Sequence, residues 1–133
     1  MAKENYAGVS PIPFKAGAAI TQHRAVKLDT TADRVVHAVA IADPVIGVSL
    51  ETATAANDPM PIQIHGVAKI EAAAAITLGD EVMVQAAAAN GRITVAAGAT
   101  ARSIGFALNT VANAGELVSV LLHGPTAKGP ANR

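Results

Sequence analysis

The chain has no cysteine and no tryptophan, and its entire aromatic content is one tyrosine and two phenylalanines, Tyr6, Phe14 and Phe106. Without cysteine there is no disulfide framework, no thiolate nucleophile and no thiolate metal site, a usage compatible with a reducing compartment. Without large rings the interior must be filled by Val, Ile, Leu and Ala, each of which removes less apolar area from water than an aromatic would. A core that thin is expected to lean on neighbouring chains. No sign of charge predominates either: ten basic and ten acidic residues give a formal net charge of zero, and no two Lys or Arg residues are adjacent. A nucleic-acid binder needs a basic stripe to neutralise phosphates, so that class is disfavoured. No apolar stretch approaches the roughly 20 residues of a membrane span, and the opening MAKENYAG lacks a basic start followed by an apolar block. The expectation is a soluble, unexported protein with no membrane partner.

What the chain does contain is a second copy of part of itself. Residues 46–66 (IGVSLETATAANDPMPIQIHG) lie without a gap on residues 104–124 (IGFALNTVANAGELVSVLLHG). Seven positions are identical: Ile46/Ile104, Gly47/Gly105, Leu50/Leu108, Thr52/Thr110, Ala56/Ala114, His65/His123 and Gly66/Gly124. The register extends upstream to Arg34/Arg92, Val35/Ile93 and Val26/Val84. AGAAIT at residues 16–21 matches AAAAIT at residues 72–77 two residues out of that register, which places a two-residue slip after it. Units of this length are too long and too few for a solenoid. They suggest one domain built from two related sheets or half-barrels, and 133 residues is an ordinary size for it.

Short apolar runs separated by Gly, Pro, Asn or Asp at about ten-residue intervals point to an all-β protein, a compact antiparallel sandwich or barrel. Strands are expected over residues 24–28, 34–39, 45–50, 61–72, 81–85, 91–96, 103–108 and 116–123. Period two is visible where Ile62 and Ile64 alternate with Gln63 and His65. Residues 117–122 are apolar on both faces apart from Ser119, which suits a central position. Asn90-Gly91 is a hairpin signal, because both residues tolerate positive φ. The alanine runs at 72–75 and 86–89 are too short to persist as helices and read as strand ends and loops. Residues 1–13, punctuated by Pro11 and Pro13, read as an extended arm. The β domain then spans 14–124, with its repeats at about 14–66 and 72–124, and residues 125–133 form a flexible tail.

Catalytic constellations are hard to find. His65 and His123 hold equivalent repeat positions at strand ends, but no carboxylate sits at ligand-like spacing beside either, so symmetric strand-terminal residues are the simpler reading. His37 shares a face with Val35 and Val39 and reads as a satisfied core or interface histidine; His23 carries no specific signal. Asp80-Glu81 would point to opposite faces of a strand and reads as turn chemistry. No serine lies in a nucleophile elbow, and no Gly-rich phosphate loop is present. The sequence therefore offers no catalytic, cofactor-binding or metal-binding residues, and the protein is expected not to be an enzyme.

The order of phrases carries a resemblance. AGAAIT, then GRITVA, then SIGFALNTVANAGELVSVLLHG resembles the small capsid cement or head decoration proteins of tailed bacteriophages, mainly over residues 72–124 with a fainter copy at 14–66. The first half departs from the pattern by placing Asn57-Asp58-Pro59 where the second has Gly115-Glu116. The resemblance implies a non-catalytic homotrimer, made in the host cytoplasm, that docks on the outer surface of the capsid and holds adjacent major capsid subunits together. The arm, with Tyr6, Val9, Pro11, Ile12, Pro13 and Phe14, is then the expected capsid-binding element, able to add a strand to a partner's sheet edge. The alternatives are a β-clip or barrel module binding a small ligand or carbohydrate, for which aromatic platforms are scarce, and a metal enzyme using His65 and His123.

Overall fold

The computed structural model describes residues 12–85, 90–97 and 102–122. Among these residues there are ten strands and no helix. The first five are β1 (Ile12–Ala16), β2 (Ala25–Leu28), β3 (Arg34–His37), β4 (Val45–Ser49) and β5 (Pro59–Gln63). They close into a barrel in the order β1-β3-β2-β4-β5. Every neighbouring pair is antiparallel except β1 and β3, which run parallel through Lys15 opposite Arg34 and Ala16 opposite Val35. The other five are β6 (Gly66–Glu71), β7 (Glu81–Val84), β8 (Ile93–Val95), β9 (Gly105–Ala107) and β10 (Leu117–Leu122). They form a second sheet in the order β6-β10-β9-β7-β8.

Replacing β6, β10, β9, β7 and β8 by β1, β5, β4, β2 and β3 reproduces the order of the first barrel. The correspondence reaches single hydrogen bonds. The Ala16 amide donates to the Asp58 carbonyl at 2.9 Å and the Ala72 amide to the Glu116 carbonyl at 2.8 Å; Ile20 and Ala53 form the same isolated antiparallel bridge as Ile76 and Val111. The parallel closure of the first barrel survives in the second as one bridge, Ala72 beside Ile93, where the Ala73 amide donates to the Ile93 carbonyl at 2.8 Å. The second sheet thus repeats the strand order of the first barrel, with its closure reduced to that one bridge, and is called the second barrel below.

The structure relocates the slip between the copies. Val26 lies opposite Gly47 and Val82 lies opposite Gly105, so Val26 corresponds to Val82 and not to Val84. The two extra residues therefore sit in the β7-β8 hairpin, which is longer than the β2-β3 turn. A turn absorbs two extra residues at the surface without disturbing the strand pairing on either side of it. One strand expected over 61–72 is two, β5 and β6, because the chain bends at the exposed His65 and Gly66, with φ 84, carries it from the barrel into the second sheet. β1 crosses the boundary expected between the arm at 1–13 and the domain at 14–124. The Asn90-Gly91 hairpin is present, with φ of 50 and 81 at the two residues. Of the alanine runs, Ala72 is fully buried at the end of β6, and residues 86–89 lie outside the described residues.

Each barrel is filled by the same seven positions. Ala16, Ile20, Val26, Val35, Ala53, Met60 and Ile62 form the first core. Ala72, Ile76, Val82, Ile93, Val111, Val118 and Val120 occupy the corresponding places in the second. Period two along each strand sends these residues inward, and burying each large aliphatic side chain contributes about 1.5–3 kcal/mol. β10 is central, as its composition suggests, between β6 and β9. Its faces are not alike, however: Val118, Val120 and Leu122 are buried, Ser119 is buried behind them, and Leu121 is exposed.

Gly47 and Gly105 start equivalent tight crossings. A Cβ on Gly47 would stand 2.5 Å from the Gln63 carbonyl oxygen, and one on Gly105 would overlap the Leu121 carbonyl. Gly79 differs, since its φ of 90 is left-handed but the space around it is empty. Gly105→Ala is expected to cost about 2–3 kcal/mol through backbone displacement and Gly79→Ala about 1 kcal/mol through φ alone. Chemical denaturation of the two variants checks the order.

Candidate functional site

The turns of the two barrels are pinned by side chains that differ in type and agree in role. The Asp58 carboxylate accepts from the Thr54 and Ala55 amides, both at 3.1 Å. Glu116 accepts from the corresponding Ala112 and Asn113 amides at 2.9 and 3.3 Å. Asn57 and Gly115 precede them with φ of 72 and 91. The Asn57-Asp58 departure from Gly115-Glu116 is therefore conservative in geometry. The Thr52 hydroxyl accepts from the Gln22 amide, and the Thr110 hydroxyl from the Leu78 amide, at 3.1 and 3.0 Å.

The barrels meet along one seam. From the first barrel, Ala25, Val45 and Val48 are buried in one cluster with Ala68, Ile70 and the rest of the second core. Around them, the Ala25 amide donates to the Gly91 carbonyl at 2.8 Å and the Glu71 amide to the His23 carbonyl at 2.9 Å. Arg24 donates to the Glu71 carboxylate at 3.1 Å and to the Asn90 carbonyl at 3.0 Å, while Arg92 reaches the other Glu71 oxygen at 3.7 Å. The 39–43 loop completes the seam. Burial alone would raise the Asp43 pKa, but hydrogen bonds from the Val39 and Ala40 amides and from Lys27 bring it below the usual value. So fixed, the loop presents the Ile41 and Ala42 carbonyls to the Arg102 amide and Nε at 2.9 and 2.7 Å.

The described histidines, His23, His37 and His65, belong to no metal-binding group. His37 is half-buried and its Nε2 accepts from the Thr21 amide at 3.1 Å, which requires that nitrogen to be unprotonated. Burial, with the Arg24 charge as a second cause, lowers its pKa below 6.5. This is the satisfied histidine expected from the sequence. His65 is exposed at the β5-β6 turn, and its equivalent, His123, lies outside the described residues. Among the described residues no three of His, Asp and Glu form a metal-binding group. Of the expected capsid-binding residues, Tyr6, Val9 and Pro11 lie outside the described residues, while Ile12, Pro13 and Phe14 are in β1 opposite Ile62, Pro61 and Met60. Their neighbourhood holds a groove of about 360 Å³ lined by Pro13, Phe14, Lys15, Asp33, Asn57 and Pro59.

Residues 12–122, spanning both barrels from β1 to β10, match the family model described as phage cement protein. The chain belongs to that family. It is thereby a structural protein of the phage capsid. In three dimensions it is similar to the crystal structure of the head fiber gp8.5 N base in bacteriophage phi29, at 14% sequence identity and a TM-score of 0.67, covering 85% of this chain and 92% of that one. The likeness shows a shared fold. No curated protein sequence matches significantly.

Two outcomes test this geometry. Glu71→Ala removes one carboxylate serving two arginines at a partly buried seam, and is expected to lower stability by roughly 1–2 kcal/mol in urea denaturation. The pH dependence has a definite sign. The folded-state pKa of His37 lies below its unfolded value of 6.5, so the unfolded chain binds more protons in that window and stability falls as pH drops below 6.5. His37→Gln is expected to flatten this acid slope in thermal melts recorded across the window.

Proposed function

We propose that this cement protein binds the outer surface of the capsid as a homotrimer and ties adjacent major capsid subunits together, with no catalytic role. The observation that carries the reading is the family match across both barrels, residues 12–122. The scaffold supports it: the side chains that repeat build core and turns, and the seam is made of structural contacts.

The arm is the proposed capsid-binding element. β1 is paired on both sides, with β5 and with β3, so the first barrel offers its own N-terminal segment no open edge beside β1. A segment leaving β1 finds backbone partners on another protein, where strand addition supplies main-chain hydrogen bonds and side chains give specificity. Tyr6 is its natural anchor, because a buried tyrosine combines a large apolar ring with a hydroxyl donor, and Val9 and Pro11 flank it. Ile12, Pro13 and Phe14 set the direction in which the arm departs. Three arms on one trimer make modest single contacts add to strong avidity.

Removing residues 1–11 is expected to leave melting and solution mass unchanged and to abolish co-sedimentation with capsid shells. Tyr6→Ala is expected to weaken binding about 30-fold. Full-affinity binding by the truncated protein would overturn the arm as the docking element.

A further inference from the structure

Asn90 is the only asparagine of the chain that is followed by glycine. Glycine has no side chain to shield its amide nitrogen, so this is the step at which that nitrogen most easily attacks the side-chain carbonyl of the asparagine before it. The Gly91 N–Cγ bond forms and the side-chain amide leaves as ammonia. The resulting succinimide takes up one water and opens at one carbonyl to aspartate or at the other to isoaspartate, with no oxidant or reductant involved. The Asn90 side chain is open to that water: it is exposed and lines a groove of about 580 Å³ together with Thr21, His37, Thr52 and Thr54. Asn57 and Asn109 are placed differently. They precede Asp58 and Thr110, and their Oδ1 atoms accept from Arg34 at 2.7 Å and from the Ser119 amide at 2.6 Å.

The fold withholds the first step. Asn90 has φ 50 and Gly91 φ 81. A residue in the left-handed region has positive ψ as well, and that pair of angles sends the following nitrogen to the side of Cα away from Cβ. For the ring to close, the Gly91 nitrogen has to swing round beside the Asn90 Cβ, so the peptide plane between the two residues must turn over. That plane is held from the first barrel. Arg24 Nη1 donates to the Asn90 carbonyl at 3.0 Å, and the Ala25 amide donates to the Gly91 carbonyl at 2.8 Å. Gly91 is also pressed so closely on β2 that a Cβ there would stand 2.5 Å from the Ala25 carbonyl oxygen. We infer that Asn90 is a site of spontaneous covalent modification gated by the seam: it converts to succinimide and then to aspartate or isoaspartate only while the Asn90-Gly91 turn is lifted off Arg24 and Ala25. The two products differ in consequence. Aspartate leaves the main chain as it was and adds one negative charge to a turn that already meets Arg24. Isoaspartate runs the main chain through Cβ and lengthens it by one methylene, so the spacing of the two acceptors that Arg24 and the Ala25 amide hold is lost. Each opening of the seam thus carries a chance of making the next one easier, and the change runs one way.

The test incubates the full-length protein at mildly alkaline pH, folded and in urea, and follows the Asn90-containing peptide by mass spectrometry, with isoaspartate told from aspartate by fragmentation. Conversion is expected to be about a hundredfold slower in the folded protein than in urea, because it waits on a local opening. Arg24→Gln removes one seam hydrogen bond and is expected to speed the folded rate about tenfold. If that variant fails to fold, Glu71→Gln, which takes away the carboxylate that anchors Arg24 at 3.1 Å, carries the comparison. Met60→Val empties part of the first core, away from the seam; it is expected to lower melting and to leave the folded rate within about twofold. Asn90→Asp is expected to melt with wild type, and the isolated isoaspartate form several degrees lower. No conversion at Asn90 in urea overturns the site. Equal rates folded and in urea, or a folded rate raised by Met60→Val as much as by Arg24→Gln, overturns the seam as its gate. An isoaspartate form that melts with wild type overturns the loosening.

Discussion

Where Arg24 reaches over Ala25 and Val48 to Glu71, the chain solves a problem set by its own composition. A five-stranded barrel with strands of three to six residues has room for seven inward side chains, and here they are aliphatic with one methionine. Small cores of this kind supply little stability alone, since the fraction of surface buried on folding falls with size. Packing one barrel on the other lets Ala25, Val45 and Val48 join the second core, so residues on an outer face do interior work. The hydrogen bonds and ion pairs around that seam then fix which faces meet. The stability of the fold depends on that contact.

Much of the architecture was legible in the residues. Ile46-Gly47 and Ile104-Gly105 announced the duplication, and the shared glycines proved to be the places where a strand crosses under a neighbouring carbonyl. The all-β fold followed from spacing and turn residues. The slip was misplaced because valine recurs at 26, 82 and 84, and composition cannot say which valine faces Gly105; only the cross-strand register does. The bend at His65 was missed because a single glycine following an alternating run looks the same in a strand and in a turn until its φ is known.

The candidate surfaces were less legible, for a physical reason. Asp58 and Glu116 perform one task with side chains of different length, so comparing letters counted them as a departure. Arg24 and Glu71, whose equivalents in the other half carry the opposite charge, look like loss of similarity between the halves. Their meaning lies in pairs drawn from opposite ends of the chain, and a pair becomes visible only once the fold says which faces touch. The repeated His65 and His123 were read as strand-terminal residues, and His65 does lie exposed just after β5.

The two barrels share a topology but are not equally laced. In the first, β1 and β3 run side by side through successive registered pairs; in the second, the same closure is a single bridge at Ala72 and Ile93. A short edge strand held by its hairpin partner β7 and one bridge peels at lower free energy than a strand stitched along both sides. Of the two equivalent strands β8 is therefore the one expected to open first, which makes the second barrel the more compliant half of the molecule.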